Sequence, residues 1–160
     1  MANQGLVRDL MSSQVATCKR DTPIPQVARQ MRDLDVSALV VVDDNGLLEG
    51  IISRTDLVTL RAHEEYWQGL RAEHVMISNV VCVTPDTPIT DALALLLARK
   101  IHRLVVVEDC NVRSKPLGIF SVTAERARSY LQSGYTLVAA GADILLLTEA
   151  VHKVRRLLKG

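Results

Sequence analysis

Ser53, Thr55 and Asp56 place two hydroxyls and a carboxylate within four residues, directly after the apolar stretch Gly50-Ile51-Ile52. The chain reaches them from Leu39–Val42 through Asp43-Asp44-Asn45-Gly46 and Leu47-Leu48, a hairpin pattern that hands over to a helix. Ser53 stands where it would cap that helix, whose first-turn N–H groups and dipole favour an anion. A carboxylate at Asp56 can accept two hydrogen bonds from vicinal hydroxyls, the pattern by which an acid selects a ribose. The same residues also read as a plain cap and first-turn acid, because capping boxes are common. Further on, His102 and Arg103 adjoin. A guanidinium fork suits phosphate oxygens and an imidazole adds a donor that strengthens on protonation, although two such cations also fit a strand edge paired with surface acids.

These groups need a scaffold, and the chain carries it twice. Val7-Arg8-Asp9-Leu10-Met11 resembles Ala72-Glu73-His74-Val75-Met76, and Asp21-Thr22-Pro23-Ile24 falls on Asp86-Thr87-Pro88-Ile89 at a spacing of 65. Val36–Asp43 falls on Ile101–Glu108 at the same spacing, and Gly50-Ile51-Ile52-Ser53 on Gly118-Ile119-Phe120-Ser121 at 68, the difference lying in the hairpin tip. Each copy reads as strand, helix, strand, strand, helix. The Asp-Thr-Pro turns supply an N-cap and a first-turn proline, and helical spacing follows in Val27, Met31 and Leu34 and in Ala92, Leu93, Leu96 and Leu97. Leu39–Val42 and Leu104–Val107 are continuous apolar runs, as expected of strands covered on both faces. A unit this short buries its own sheet poorly, so the two copies should pack on each other.

Composition narrows the function. Nineteen basic residues against 18 acidic leave no global field to attract nucleic acid or membrane. Aromatics at 3% leave almost no stacking platform for bases. Cys18, Cys82 and Cys110 are odd in number and lack metal spacing, so they read as idle or core-packed thiols in a reducing compartment. His63, His74 and His152 share no metal spacing, and no nucleophile–base arrangement or carboxylate pair stands out, so neither a metal site nor an enzyme is expected. The N-terminus lacks the pattern of a signal peptide, and no apolar run approaches the ~20 residues of a membrane span, so a cytoplasmic protein is expected.

The paired D-T-P-I turns, H-R-L-V-V-V, and G-I-I-S-x-x-D together resemble a tandem pair of cystathionine-β-synthase-type (CBS) domains, the small-ligand sensing module also found in the γ subunit of AMP-activated protein kinase, in IMP dehydrogenase and in chloride channels. The resemblance implies a mixed α/β (α+β) fold of two pseudo-symmetric β-α-β-β-α repeats, at residues 5–68 and 69–133, packed as one module with a strand/helix extension at 134–160. It implies one cleft built from Gly50, Ile51, Ser53, Thr55 and Asp56 with Val81, Ile101, His102 and Arg103. There Asp56 would take ribose hydroxyls, Ser53 and Thr55 ribose or α-phosphate, Val81 and Ile101 would sandwich adenine, and His102 with Arg103 would hold phosphate.

The second cleft, with Ala16, Ser37, Ala38, Ser121 and Ala124, departs from the pattern: Ala124 stands where Asp56 would recur, and Ser37-Ala38 where His102-Arg103 would. It is expected to be degenerate unless Glu125 substitutes through a shifted helix start. The expected function is a regulatory sensor of an adenine nucleotide, AMP first and then ADP or ATP, with no required cofactor. A homodimer and a regulated protein partner are expected; alternatives are S-adenosylmethionine or NAD(H) as ligand, or a ligand-free interaction module. In the tail, Ile144, Leu147, Val151, Val154 and Leu158 form a heptad seam that must dock on something. Residues 124–143 also look like the closing helix-strand-helix of an HpcH/HpaI-type barrel aldolase, without any catalytic or metal-binding group.

Overall fold

The computed structural model describes residues 5–63 and 67–121. Within them the order is α1 (Val7–Leu10), β1 (Thr17–Lys19), α2 (Ile24–Asp33), β2 (Ala38–Val42), β3 (Leu48–Ser53), α3 (Arg54–His63), a 3-10 turn (Trp67–Gly69), α4 (Ala72–Val75), β4 (Cys82–Val83), α5 (Ile89–Arg99), β5 (Arg103–Val107) and β6 (Pro116–Ser121). Strands β1-β2-β3 form one sheet and β4-β5-β6 another, each opening with a parallel pair, as the duplicated strand–helix–strand–strand pattern requires. The extension expected at 134–160, the helix-strand-helix likeness over 124–143 and the heptad seam lie outside the described residues. The chain divides into two compact units, one of Met11–Pro85 with Val105–Ile119, the other holding, among the described residues, 5–10, 86–104 and 120–121.

In the larger unit the continuous apolar strands serve two layers at once. Leu39 and Val41 face helix α2 through Ile24, Val27 and Met31, with Cys18, Ile52 and Ala72 completing the cluster. Val40 and Val42 point the other way and meet Val105 and Val107. Side chains alternate across a strand, so a run buried on both faces has no polar position to give up. All five residues of β2 are buried for this reason. In the other unit Val7, Ala92, Leu104 and Phe120 are fully enclosed.

The hairpin between β2 and β3 turns at Asn45-Gly46 with the glycine alone at positive φ, so the loop is wider than the two-residue turn that Asn-Gly signals. Gly46 has φ +79°, and Asp43 Oδ1 accepts from Asn45 N–H at 2.9 Å and from Leu47 N–H at 2.8 Å. The Leu47 bond, the largest cause, and the nearby Arg113 and Lys19 charges hold the Asp43 carboxyl below its usual 3.8. The register then skips Glu49, since Val41 opposes Gly50 while Val42 opposes Leu48. This bulge re-aims the Glu49 carboxylate, which is only 10% exposed, onto Arg20 at 3.0 Å and onto Arg113.

Helices α2 and α5 begin differently from the sequence expectation. Their N-caps are Pro23 and Pro88, with no side-chain cap bond, because Thr22 Oγ1 instead accepts from Lys19 N–H at 3.0 Å and closes the preceding turn. The orphan first-turn donors find acceptors in the other copy: Ile24 N–H donates to Leu70 O at 2.9 Å, and Ile89 N–H to Gly5 O at 3.0 Å. Leu34 and Leu97, expected on the buried faces, are 58% and 52% exposed, since Val27 with Met31 and Ala92 with Leu96 already fill the inward stripe. Both helices close on a left-handed non-glycine residue, Asp35 (φ +49°) and Lys100 (φ +52°), again 65 apart.

The capping carbonyls belong to a wider exchange. Leu6 bridges Pro88 and Arg71 bridges Pro23; Val7 N–H donates to Thr87 O and Ala72 N–H to Thr22 O, both at 2.9 Å. One step on, Ser12 pairs with Ile119 on β6, and Ile77 with Ile51 on β3, each through two main-chain bonds. The stretch leading into each copy is therefore hydrogen-bonded to the other. Gly50 and Gly118 let this happen: a Cβ on Gly50 would lie 2.8 Å from Met76 Sδ, and one on Gly118 would lie 2.7 Å from Met11 Sδ and 2.9 Å from the Ser12 carbonyl.

Two outcomes follow from these contacts. Gly118→Ala destabilises more than Gly50→Ala, by about 1–3 kcal/mol in urea unfolding, because a backbone carbonyl yields less readily than a thioether. A depressed carboxyl stabilises above its unfolded value and loses that contribution as pH falls through the folded one. The stability difference between wild type and Asp43→Asn therefore shrinks as the pH drops below 3.8 in equilibrium unfolding.

Candidate functional site

Strand β3 ends at Ser53 and helix α3 begins at Arg54 without a loop, so the chemistry-bearing residues sit at the junction itself. Ser53 and Asp56 form a reciprocal cap. Ser53 N–H and Oγ–H donate to Asp56 Oδ2 at 2.7 and 2.6 Å, and Asp56 N–H donates back to Ser53 Oγ at 3.3 Å. The carboxylate is thereby fixed in one orientation, with both of the bonds it accepts from Ser53 running through Oδ2 and neither through Oδ1. Both residues are half-buried and Thr55 is exposed. Arg54 N–H donates to the Ser37 carbonyl at 2.9 Å and its guanidinium to the Val36 carbonyl at 3.2 Å, which ties the helix start to the residues ahead of β2.

Gly50 is buried beneath Met76, and Ile51 is half-buried and bridged to Ile77. Val81 lies in the same compact unit, half-buried, its carbonyl accepting from Val105 N–H at 3.3 Å. Ile101, His102 and Arg103 belong to the other unit. Ile101 closes α5 by donating to Leu96 O at 3.1 Å; His102 is exposed, and Arg103 opens β5 half-buried. Of the residues assigned to the second cleft, the Ala16 carbonyl accepts from Val40 N–H at 3.0 Å, Ala38 is buried on β2, Ser37 holds the α3 start and Ser121 closes β6. Ala124 and Glu125 lie outside the described residues.

The sequence reading missed Met76 and Ile77, which cover the Gly50–Ile51 strand; their only signal was the recurrence of Met11 at Met76. A groove of about 650 Å³ between α2 and α3 is lined by Met31, Arg54, Leu57, Val58 and Trp67 among others, with the Arg61 guanidinium 5.3 Å from the Trp67 ring. Arg54, next to Ser53, lines it, whereas Ser53, Thr55 and Asp56 are not among its lining residues. Among the described residues no cluster of three or more His, Cys, Asp or Glu could hold a metal ion, and no helix is long and apolar enough to cross a membrane.

With this geometry in view, comparisons with known proteins are informative. The family described as CBS domain matches residues 7–63 and 72–124. The chain is 31% identical over 107 residues to the CBS domain-containing protein YhcV of Bacillus subtilis, covering 66% of this chain and 75% of that protein. It is 28% identical over 138 residues to inosine-5'-monophosphate dehydrogenase of Methanocaldococcus jannaschii, covering 82% of this chain and only 26% of the enzyme. Among solved structures, CBSX2 in complex with AMP superposes with a TM-score of 0.68 at 28% identity, covering 81% of this chain and 98% of that one. The chain belongs to the CBS domain family, and its two matched stretches make it a tandem CBS domain pair.

The reciprocal cap predicts a measurable coupling. Ser53→Ala and Asp56→Ala each cost about 1 kcal/mol of stability. The double variant costs less than their sum by about 0.5 kcal/mol or more, because both single changes remove the same bonds. Urea unfolding of the four proteins of the cycle measures this, and strictly additive losses would contradict it.

Proposed function

We propose that this CBS domain pair is a regulatory module that binds an adenine nucleotide, AMP in preference to ADP or ATP, at one competent site. The observation that carries the reading is the carboxylate of Asp56, pinned by Ser53 at a helix start with Oδ1 outside the pinning bonds. An acceptor already held in one rotamer loses little entropy when it takes a pair of ribose hydroxyls. Ser53 and Thr55 add hydroxyls at the same helix start, Val81 and Ile101 supply apolar surface for adenine, and His102 and Arg103 supply donors for phosphate. The 28% identity to CBSX2, whose structure is in complex with AMP, supports the choice of ligand. Ala124 in place of an acid, and Ser37-Ala38 in place of the basic pair, support a single site.

Binding regulates by favouring one arrangement of the pair, or of a homodimer, over another, and passes that preference to a protein partner; a ligand with equal affinity for both states shifts nothing. The role is regulatory rather than catalytic. A second reading, a ligand-free interaction module, draws on the same cap, since a Ser–Asp cap stabilises a helix with no ligand present.

Isothermal titration with AMP, ADP, ATP, S-adenosylmethionine and NADH decides between them. The proposal expects AMP to bind, with affinity falling about tenfold or more in His102→Ala and in Asp56→Asn. Each variant's melting temperature without ligand is measured alongside to separate lost binding from lost fold. Absence of heat with every ligand supports the interaction module, and binding unchanged in both variants removes the assigned residues.

A further inference from the structure

Helices α2 and α3 pack on the same core cluster, and the groove of about 650 Å³ between them lies within one compact unit. Its floor is apolar: Met31 is buried, and Leu57 and Trp67 are half-buried against the cluster. Val58 also lines the groove, with 65% of its surface in solvent. One exposed valine is ordinary, but a valine that continues an apolar groove enlarges a surface that another chain can cover. A floor of this shape, set between two ten-residue helices, takes the apolar face of a third helix, anchored at positions i, i+3 or i+4, and i+7.

The charges around that floor decide which helix fits. Arg32, Arg54 and Arg61 line the groove, and Asp35 is the one acid among its lining residues. Arg32 pairs with the exposed Asp33 at 2.8 Å, whereas the Arg54 guanidinium donates to the Val36 carbonyl and Arg61 lies over the Trp67 ring. Among the described residues, neither Arg54 nor Arg61 is paired with a carboxylate. A second copy docked here about a two-fold axis would set the same arginine excess against itself. The chain's own heptad seam is mismatched too, since residues 144–160 carry Lys153, Arg155, Arg156 and Lys159 against Glu149 alone.

We propose that the α2–α3 groove docks an amphipathic helix of a partner protein, one whose polar face is acidic. Its apolar side chains cover Met31, Leu57, Val58 and Trp67, and its carboxylates meet Arg54 and Arg61. A guanidinium presents paired donors that match a carboxylate, which fixes the register of the docked helix. The apolar anchors hold the complex, while the exposed charge pairs steer encounter, exclude basic helices and weaken with salt. The contact is separate from the nucleotide site and does not require a nucleotide to be bound.

The test uses the full-length protein without nucleotide and a fluorescein-labelled synthetic helix of about four turns, with leucine along one face and glutamate on the other. A second peptide carries lysine in place of every glutamate. Fluorescence anisotropy is expected to show saturable binding of the glutamate peptide and none of the lysine peptide. Affinity is expected to fall about tenfold or more in Val58→Asp and in Arg61→Glu, both at exposed positions, and to be unchanged in Lys115→Glu, an equal charge change outside the groove. The melting temperature of each variant separates lost binding from lost fold. Failure of the glutamate peptide to bind, equal binding of the lysine peptide, or affinity unchanged in both groove variants would each overturn the proposal. Photocrosslinking from a benzophenone side chain placed at position 58 identifies any other occupant: a crosslink to the glutamate peptide supports the assignment, and one to a second copy or to residues 144–160 overturns it.

Discussion

The constraint on which this fold depends is a set of main-chain hydrogen bonds from each copy's leading stretch to the opposite copy. A proline caps α2 and α5, so no side chain is there to receive the first N–H groups of either helix. Leu70 and Gly5 supply the carbonyls instead. The same stretches continue into the paired bridges of Ile77 with Ile51 and of Ser12 with Ile119. A helix start left without acceptors costs about 1–3 kcal/mol per buried group, so neither copy keeps its helix ends satisfied without the other's leader. The duplication is thus a structural necessity, and the two repeats cannot be treated as separable beads.

The core and the Ser53–Asp56 cap inherit their placement from that arrangement. Alternation along β2 sends Leu39 and Val41 to the helices and Val40 and Val42 to Val105 and Val107, so a single strand knits two apolar layers. Strand β3 carries its bulge at Glu49, passes under Met76 at Gly50, and runs without a loop into the Ser53–Asp56 cap. A carboxylate positioned by a strand end, a helix start and its own serine has little freedom left to lose, which makes it a good acceptor for a ligand and a good cap without one.

Much of this was legible in the residues. The internal spacing of 65 located both copies, the apolar runs identified doubly covered strands, Asn45-Gly46 marked the turn, and Ser53 with Asp56 announced the cap. The leader exchange was not legible, because main-chain bonds leave no side-chain signature: Leu70, Ala72 and Gly5 contribute carbonyls and amides that any residue has. Leu34 and Leu97 misled because apolar character at helical spacing cannot tell a face already filled by other residues from one that still needs filling.

Native-state hydrogen exchange tests the leader exchange most directly. The amides of Ser12, Ala72 and Ile77 lie at short or isolated pairings, where local fraying ordinarily makes exchange fast. The account predicts that they exchange as slowly as the Val40 amide in the core of β2, through global unfolding alone. Exchange of these three amides orders of magnitude faster than Val40, with β2 still protected, would contradict it.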